Sequence, residues 1–214
     1  MSDLVNKLEI QLGSFDESSR RQALNRLKMM ADKGDIEFAQ PGNYTNMHFH
    51  TFHSFNAERE IEKLLEIAMQ TGVEAANIIP DRNYTPGLGQ KDEKCENLYK
   101  FINVCNKLSL PIITGTEMNR PGQKFVDNFE SDELKPLVPV FLKGALIIYA
   151  HSVMQRECGL GYLSNWAKTN FDSRAKKNVF FEKIGSMLSG ENEKLLADLS
   201  EEAKPQDILK KITT

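Results

Sequence analysis

Two histidines stand two residues apart in the run Asn46-Met47-His48-Phe49-His50-Thr51-Phe52-His53-Ser54. On an extended strand, residues i and i+2 share a face, so the imidazoles of His48 and His50 project together. Paired neutral imidazoles are good donors to zinc, iron or manganese ions. An HxH pair alone would equally describe two histidines exposed at a strand edge. Thr51 and Ser54 carry the pattern further than that. His53 either reaches a substrate or lies exposed on the loop.

Two other segments hold polar groups after short apolar runs. Ile112-Ile113-Thr114 leads into Gly115-Thr116-Glu117-Met118-Asn119. Glu117 can ligate a hard or borderline cation, while Asn119 offers a neutral amide oxygen. Glu117 can equally hydrogen-bond the loop that follows. The segment Ile79-Pro80-Asp81-Arg82-Asn83-Tyr84-Thr85-Pro86-Gly87 is polar and rich in turn residues. Asp81 suits a ligand or a base, and the Arg82 guanidinium suits a phosphate or carboxylate. Pairing of both with their neighbours is the other reading. Lys124 is a further cation near the Glu117 segment. Gly87 and Gly89 lack the flanking pattern of a dinucleotide fingerprint. His151, in Tyr149-Ala150-His151-Ser152, reads as a buried or capping histidine on a helix.

The elements that must position these groups follow from periodicity. Residues 1–40 read as a helical hairpin. Leu4, Val5, Leu8 and Leu12 form one stripe. Ala23, Leu24, Leu27, Met30 and Ala31 form the second, behind a Ser14 and Glu17 capping box. Residues 41–130 alternate strand and helix, with strands expected at Tyr44–His50, Val73–Ile79 and Leu110–Thr114. Amphipathic helices are expected around Ile61 to Ala68 and around Leu98 to Cys105. That alternation argues for βαβ units and a parallel sheet, whose strand ends are where such folds place active sites. Residues 131–214 read as helical throughout, with Tyr162, Trp166 and Phe171 as core anchors.

The segment His48-Phe49-His50-Thr51-Phe52-His53-Ser54 resembles the first motif of the PHP superfamily, the polymerase and histidinol phosphatase type of metal-dependent hydrolase. That motif reads His-x-His-Thr and then, after two residues, Ser. The resemblance implies a distorted β/α barrel with His48 and His50 as metal ligands. The Gly115 to Asn119 segment is similar to the family's Gly-Ser-Asp-x-His motif, with Glu117 for Asp and Asn119 for His. Phe55-Asn56 replaces the usual Asp-Gly. Residues 1–56 and the stretch from Glu60 to Leu188 resemble the two ends of a larger bacterial PHP-like protein. The middle, with the family's central Glu and several His, is missing. The expected fold is therefore α/β, a partial or open PHP-like parallel sheet. Its first strand is expected beside its last, so that His48, His50 and Glu117 converge.

The function this implies is phosphoester hydrolysis with a divalent zinc, iron or manganese ion. Asp81 and His53 would handle protons. Arg82, Asn119 and Lys124 would hold a small anionic or phosphorylated substrate. The alternative is a non-catalytic, internally shortened PHP remnant acting as a binding or structural protein. The chain has 214 residues, 40% of them hydrophobic, and a formal net charge of −3. Its basic pairs, such as Lys176-Lys177 and Lys210-Lys211, read as solvated helix faces and give no basic stripe for nucleic acid. Three widely spaced cysteines point to a reducing cytoplasm rather than to disulfides. The apolar stretch from Phe141 to Ala150, broken by Lys143, reads as too short for a membrane span. A homo-oligomer is compatible with all of this.

Overall fold

A computed structural model of the chain describes residues 7, 11, 16–33, 58–70, 72–80, 91–116 and 125–213. These contain seven α-helices and two short parallel strands. The order is α1 (Glu17–Lys33), α2 (Glu58–Gln70), β1 (Ala76–Ile78), α3 (Lys91–Lys107), β2 (Ile112–Thr114), α4 (Val138–Cys158), α5 (Asn165–Asn170), α6 (Arg174–Met187) and α7 (Pro205–Thr213). Short 3-10 turns cover Lys135–Leu137 and Glu193–Leu196. Helix and parallel strand coexist as the alternating pattern requires. The expected strand Tyr44–His50 and most of the first expected helix lie outside the described residues.

The chain divides into two compact units, residues 1–108 with 115–127 and residues 109–114 with 128–214. In the first unit, α2 and α3 pack through the stripes that the sequence predicts. Ile61, Leu64, Leu65 and Ala68 are buried on α2, and Leu98, Phe101, Ile102 and Cys105 on α3. Lys107 Nζ lies 2.7 Å from a Glu62 carboxylate oxygen across the same pair. Helix α1 buries Ala23 and Leu24. Ser14 of the expected capping box lies outside the described residues. Asp16 accepts the Ser19 N–H at 2.9 Å and the Ser18 N–H at 3.3 Å. A carboxylate with two oxygens satisfies two of the orphaned first-turn donors. The Ser19 hydroxyl and N–H hold its pKa below the ordinary carboxylate value.

The second unit is built around α4, which is apolar on nearly every side. Phe141, Gly144, Ile147, Ala150, Val153 and Met154 are its buried residues. Two glycines let backbones touch. A side chain at Gly144 would overlap the Ile112 carbonyl of β2, and one at Gly185 of α6 would overlap the Leu146 carbonyl of α4. Tyr162, Trp166, Phe180, Phe181, Ile184 and Leu196 complete the cluster with Ile208 and Ile212 of α7. Trp166 and Phe180 rings lie 5.7 Å apart, and Tyr162 and Phe181 meet edge to face at 5.0 Å. The expected aromatic anchors are thus core residues.

Helix α4 also corrects a sequence expectation. By length and composition alone, Lys135–Cys158 is long and apolar enough to cross a membrane. The helix runs on through Lys143, whose ammonium reaches Glu182 at 3.2 Å. Phe141, Ile147, Ala150, Val153 and Met154 of this helix are buried in the unit. A second correction concerns Lys177, read as solvated. It is buried, and its Nζ sits 3.9 Å above the Tyr162 ring, where the π face offsets lost hydration.

Candidate functional site

Strand β1 alternates buried Ala76, exposed Asn77 and buried Ile78. The chain leaves β2 at Thr114, and the Gly115 N–H donates to the Ile78 carbonyl at 2.8 Å. A Cβ at Gly115 would stand 2.8 Å from the Asn77 amide nitrogen, so the exposed Asn77 side chain would have to turn aside. The Gly115 to Asn119 motif therefore begins directly after β2, and the end of a strand is the position that α/β folds use for chemistry. Asn77 is a polar side chain of this corner that the motif reading passes over. Its signal was a polar residue between the apolar Ala76 and Ile78, which period-two alternation turns away from the core.

The predicted site residues themselves fall elsewhere. His48, His50, His53, Asp81, Arg82, Glu117, Asn119 and Lys124 all lie outside the described residues, and so does the expected convergence of His48, His50 and Glu117. Among the described residues, no group of three His, Cys, Asp or Glu side chains is placed to hold a metal ion.

Three constellations with possible chemistry are described. His151 of α4 is half-buried, and its Nδ1 accepts the Tyr162 N–H at 3.0 Å. Burial lowers its pKa below the ordinary imidazole value. This is the capping role read from the sequence. Beside it, the Tyr162 hydroxyl donates to Asn178 Oδ1 at 2.5 Å, and Asn178 Nδ2 donates to the Ser109 carbonyl at 2.8 Å. Ser109 holds a left-handed φ of 54°.

The second constellation ties α4 to the 3-10 turn at Glu193. The Tyr149 hydroxyl donates to Glu193 at 2.6 Å, which raises the Tyr149 pKa. Arg156 bridges Glu157 at 2.7 Å and Glu193 at 2.5 Å. Lys194 reaches Glu157 at 3.0 Å. The Arg156 and Lys194 hydrogen bonds hold the Glu157 carboxyl below its ordinary range. Each acid has a cation partner, so the network is a clasp between elements with no open position.

The third is an open groove of about 410 Å³ in the first unit, lined by Lys28, Glu62, Lys63, Glu66, Ile67 and Gln70. Lys28 pairs with Asp32, Lys63 donates to Asn25, and Glu62 pairs with Lys107. Most of its charges are already engaged, and it reads as a solvated seam.

Comparison with protein-family models, with curated proteins and with solved structures finds no match to this chain.

Proposed function

We propose that this chain is a PHP-like metal-dependent hydrolase of phosphoester type that works in the cytoplasm. The observation that carries this reading is the run His48-Phe49-His50-Thr51-Phe52-His53-Ser54. The start of the Gly115 to Asn119 motif at the end of β2 supports it, because that is where a second set of ligands belongs. Two imidazoles and the Glu117 carboxylate suit one zinc, iron or manganese ion and leave positions open for water and substrate. The ion would lower the pKa of a bound water and polarise a phosphoryl oxygen. Asp81 and His53 would move protons. Arg82, Asn119 and Lys124 would hold a small anionic or phosphorylated substrate by charge and hydrogen bonds. A homo-oligomer fits this reading.

A second reading has its own support. The chain holds four histidines in all, and Asn119 stands where the resembled motif has His. On that reading the chain is a non-catalytic, shortened member of its fold that serves binding or structure. Elemental analysis of the purified protein beside a His48→Ala/His50→Ala variant separates the two. About one ion per chain, lost in the variant, supports the hydrolase. No ion in either protein after incubation with zinc, iron and manganese refutes it and leaves the remnant.

A further inference from the structure

The geometry points to His151 as an acid-sensitive latch of the second unit: protonation of its ring removes the acceptor that holds the Tyr162 turn to α4. The argument starts from the two nitrogens of the imidazole. Nδ1 accepts the Tyr162 N–H at 3.0 Å, so the neutral ring carries its proton on Nε2. The lone pair on Nδ1 is then the only site for a second proton. A proton taken there from water turns the acceptor into a donor and sets N–H against N–H.

The turn packs closely on α4. Gly161 brings it so close that a Cβ would stand 2.8 Å from Nδ1 and 2.6 Å from Gln155 Oε1. The Gly159 N–H is already engaged with the Gln155 carbonyl, and the Leu160 N–H with the Met154 carbonyl. Burial opposes the imidazolium, which places the change below the ordinary imidazole value. The folded pKa is the depressed one. The latch is therefore intact above the unfolded value and is lost as pH falls through the folded value.

The surrounding charges do not relieve the imidazolium. Residues 159–165 carry no charged side chain. On α6 the Lys177 cation is held over the ring of Tyr162, whose N–H His151 accepts, and it too disfavours a second positive charge. On α4, Glu157 is engaged by Arg156 and Lys194, and the Cys158 thiol has its pKa raised by burial and stays neutral. Glu193 of the 3-10 turn is taken by Tyr149 and Arg156. What the latch holds matters to the unit. Tyr162 packs on Phe181 and donates to Asn178, which in turn donates to the Ser109 carbonyl just ahead of β2.

The test is a pH series by NMR on the full chain with labelled histidine and backbone nitrogen. The His151 ring is expected as the Nε2-protonated tautomer at neutral pH. One pH unit below the ring's own midpoint, about ten rings are protonated for each neutral one. Protection of the Tyr162 amide, corrected for intrinsic exchange, is then expected to fall about tenfold while the Trp166 amide keeps its protection. His151→Asn retains an oxygen near the Nδ1 position and cannot titrate, so its Tyr162 amide is expected to show no such step. The proposal is overturned by an Nδ1-protonated ring at neutral pH, by a ring that does not titrate before global unfolding, or by a Tyr162 amide unmoved through the titration. It is equally overturned by the same step persisting in His151→Asn. Should that variant fail to fold, the wild-type series still decides.

Discussion

Gly185→Ala tests the closest backbone approach in the second unit. Helix propensity alone predicts a gain, because alanine in a helix interior is about 1 kcal/mol better than glycine. The structure predicts a loss. The new Cβ would overlap the Leu146 carbonyl, and its next neighbours are the carbonyl carbon and Cα of the same residue. Backbone atoms have no rotamer to turn away, so the penalty sits at the upper end of the usual overpacking range, about 3 kcal/mol. A second estimate agrees. Parting α4 from α6 by roughly 1 Å forfeits a quarter to a half of each contact well. Ile147, Phe181 and Ile184 are fully buried across this region, and each is worth about 2 kcal/mol of burial. The loss is then about 2–3 kcal/mol. Set against the propensity gain, net destabilisation is about 2 kcal/mol, or roughly 10 °C in a unit of this size. Urea unfolding followed by Trp166 fluorescence reads it directly. Trp166 of α5 is the sole tryptophan of the chain, is buried, and sits against Phe180 of α6, the helix that carries Gly185. Gly190→Ala is the control, since nothing lies within 4 Å of its Cβ position, and it is expected within about 0.5 kcal/mol of wild type. A Gly185→Ala protein as stable as wild type, or more so, would refute the close approach and with it the packing of α4 on α6.

Two further outcomes follow from titrating groups. Glu157 has its carboxyl pKa depressed by Arg156 and Lys194, so its ion pairs stabilise the fold above the ordinary value of 4.5 and lose that effect as pH falls through the lower folded value. The urea midpoint of Glu157→Gln should lie below wild type at pH 7 and meet it in acid. A gap unchanged between pH 7 and pH 3 would count against the clasp. Cys105 is fully buried, and burial pushes its thiol up to about 12. At pH 8.5 it is expected to resist iodoacetamide in the folded protein and to react in urea, as read by peptide mass spectrometry. Native labelling as fast as denatured labelling would contradict its place in the core.

What the sequence reveals well is burial with a helical period. Ile61, Leu64, Leu65 and Ala68 repeat at the spacing that gives one helix one dry face, and the same holds for Leu98, Ile102 and Cys105. Strand extent is harder to read. The apolar run from Val73 to Ile79 looks like one strand, yet only Ala76–Ile78 pairs, because a ladder needs a partner that local pattern does not name. Lys143 and Lys177 show a similar limit. A lysine's long stem can lie along apolar surface, so its letter does not fix where the charge goes. At the start of α1 the Asp16 carboxylate accepts the Ser19 N–H, and with several good capping residues within four positions the letters alone do not say which of them does so. The touching glycines Gly144 and Gly185 are small residues on apolar stripes, and only the partner backbone reveals why they must be small.

The candidate site is legible in another way, through residue types and spacing rather than through packing. The buried cluster of the second unit is built from aromatic and aliphatic side chains such as Ile147, Tyr162, Trp166, Phe181 and Ile184. That cluster draws its stability from aromatic and aliphatic burial and from backbone contact. A chain whose metal ligands were incomplete would bury the same residues and unfold with the same Trp166 signal. Stability of the fold is therefore no argument for activity, and loss of activity would be no argument for a damaged fold. In the metal-free protein, His48→Ala/His50→Ala should leave the Trp166-detected urea midpoint within about 0.5 kcal/mol of wild type, as the proposed metal-ligand role requires of side chains that serve an ion rather than packing. A larger loss would mean that the two histidines belong to the packing of the chain, and the metal-ligand reading of His48 and His50 would lose its basis.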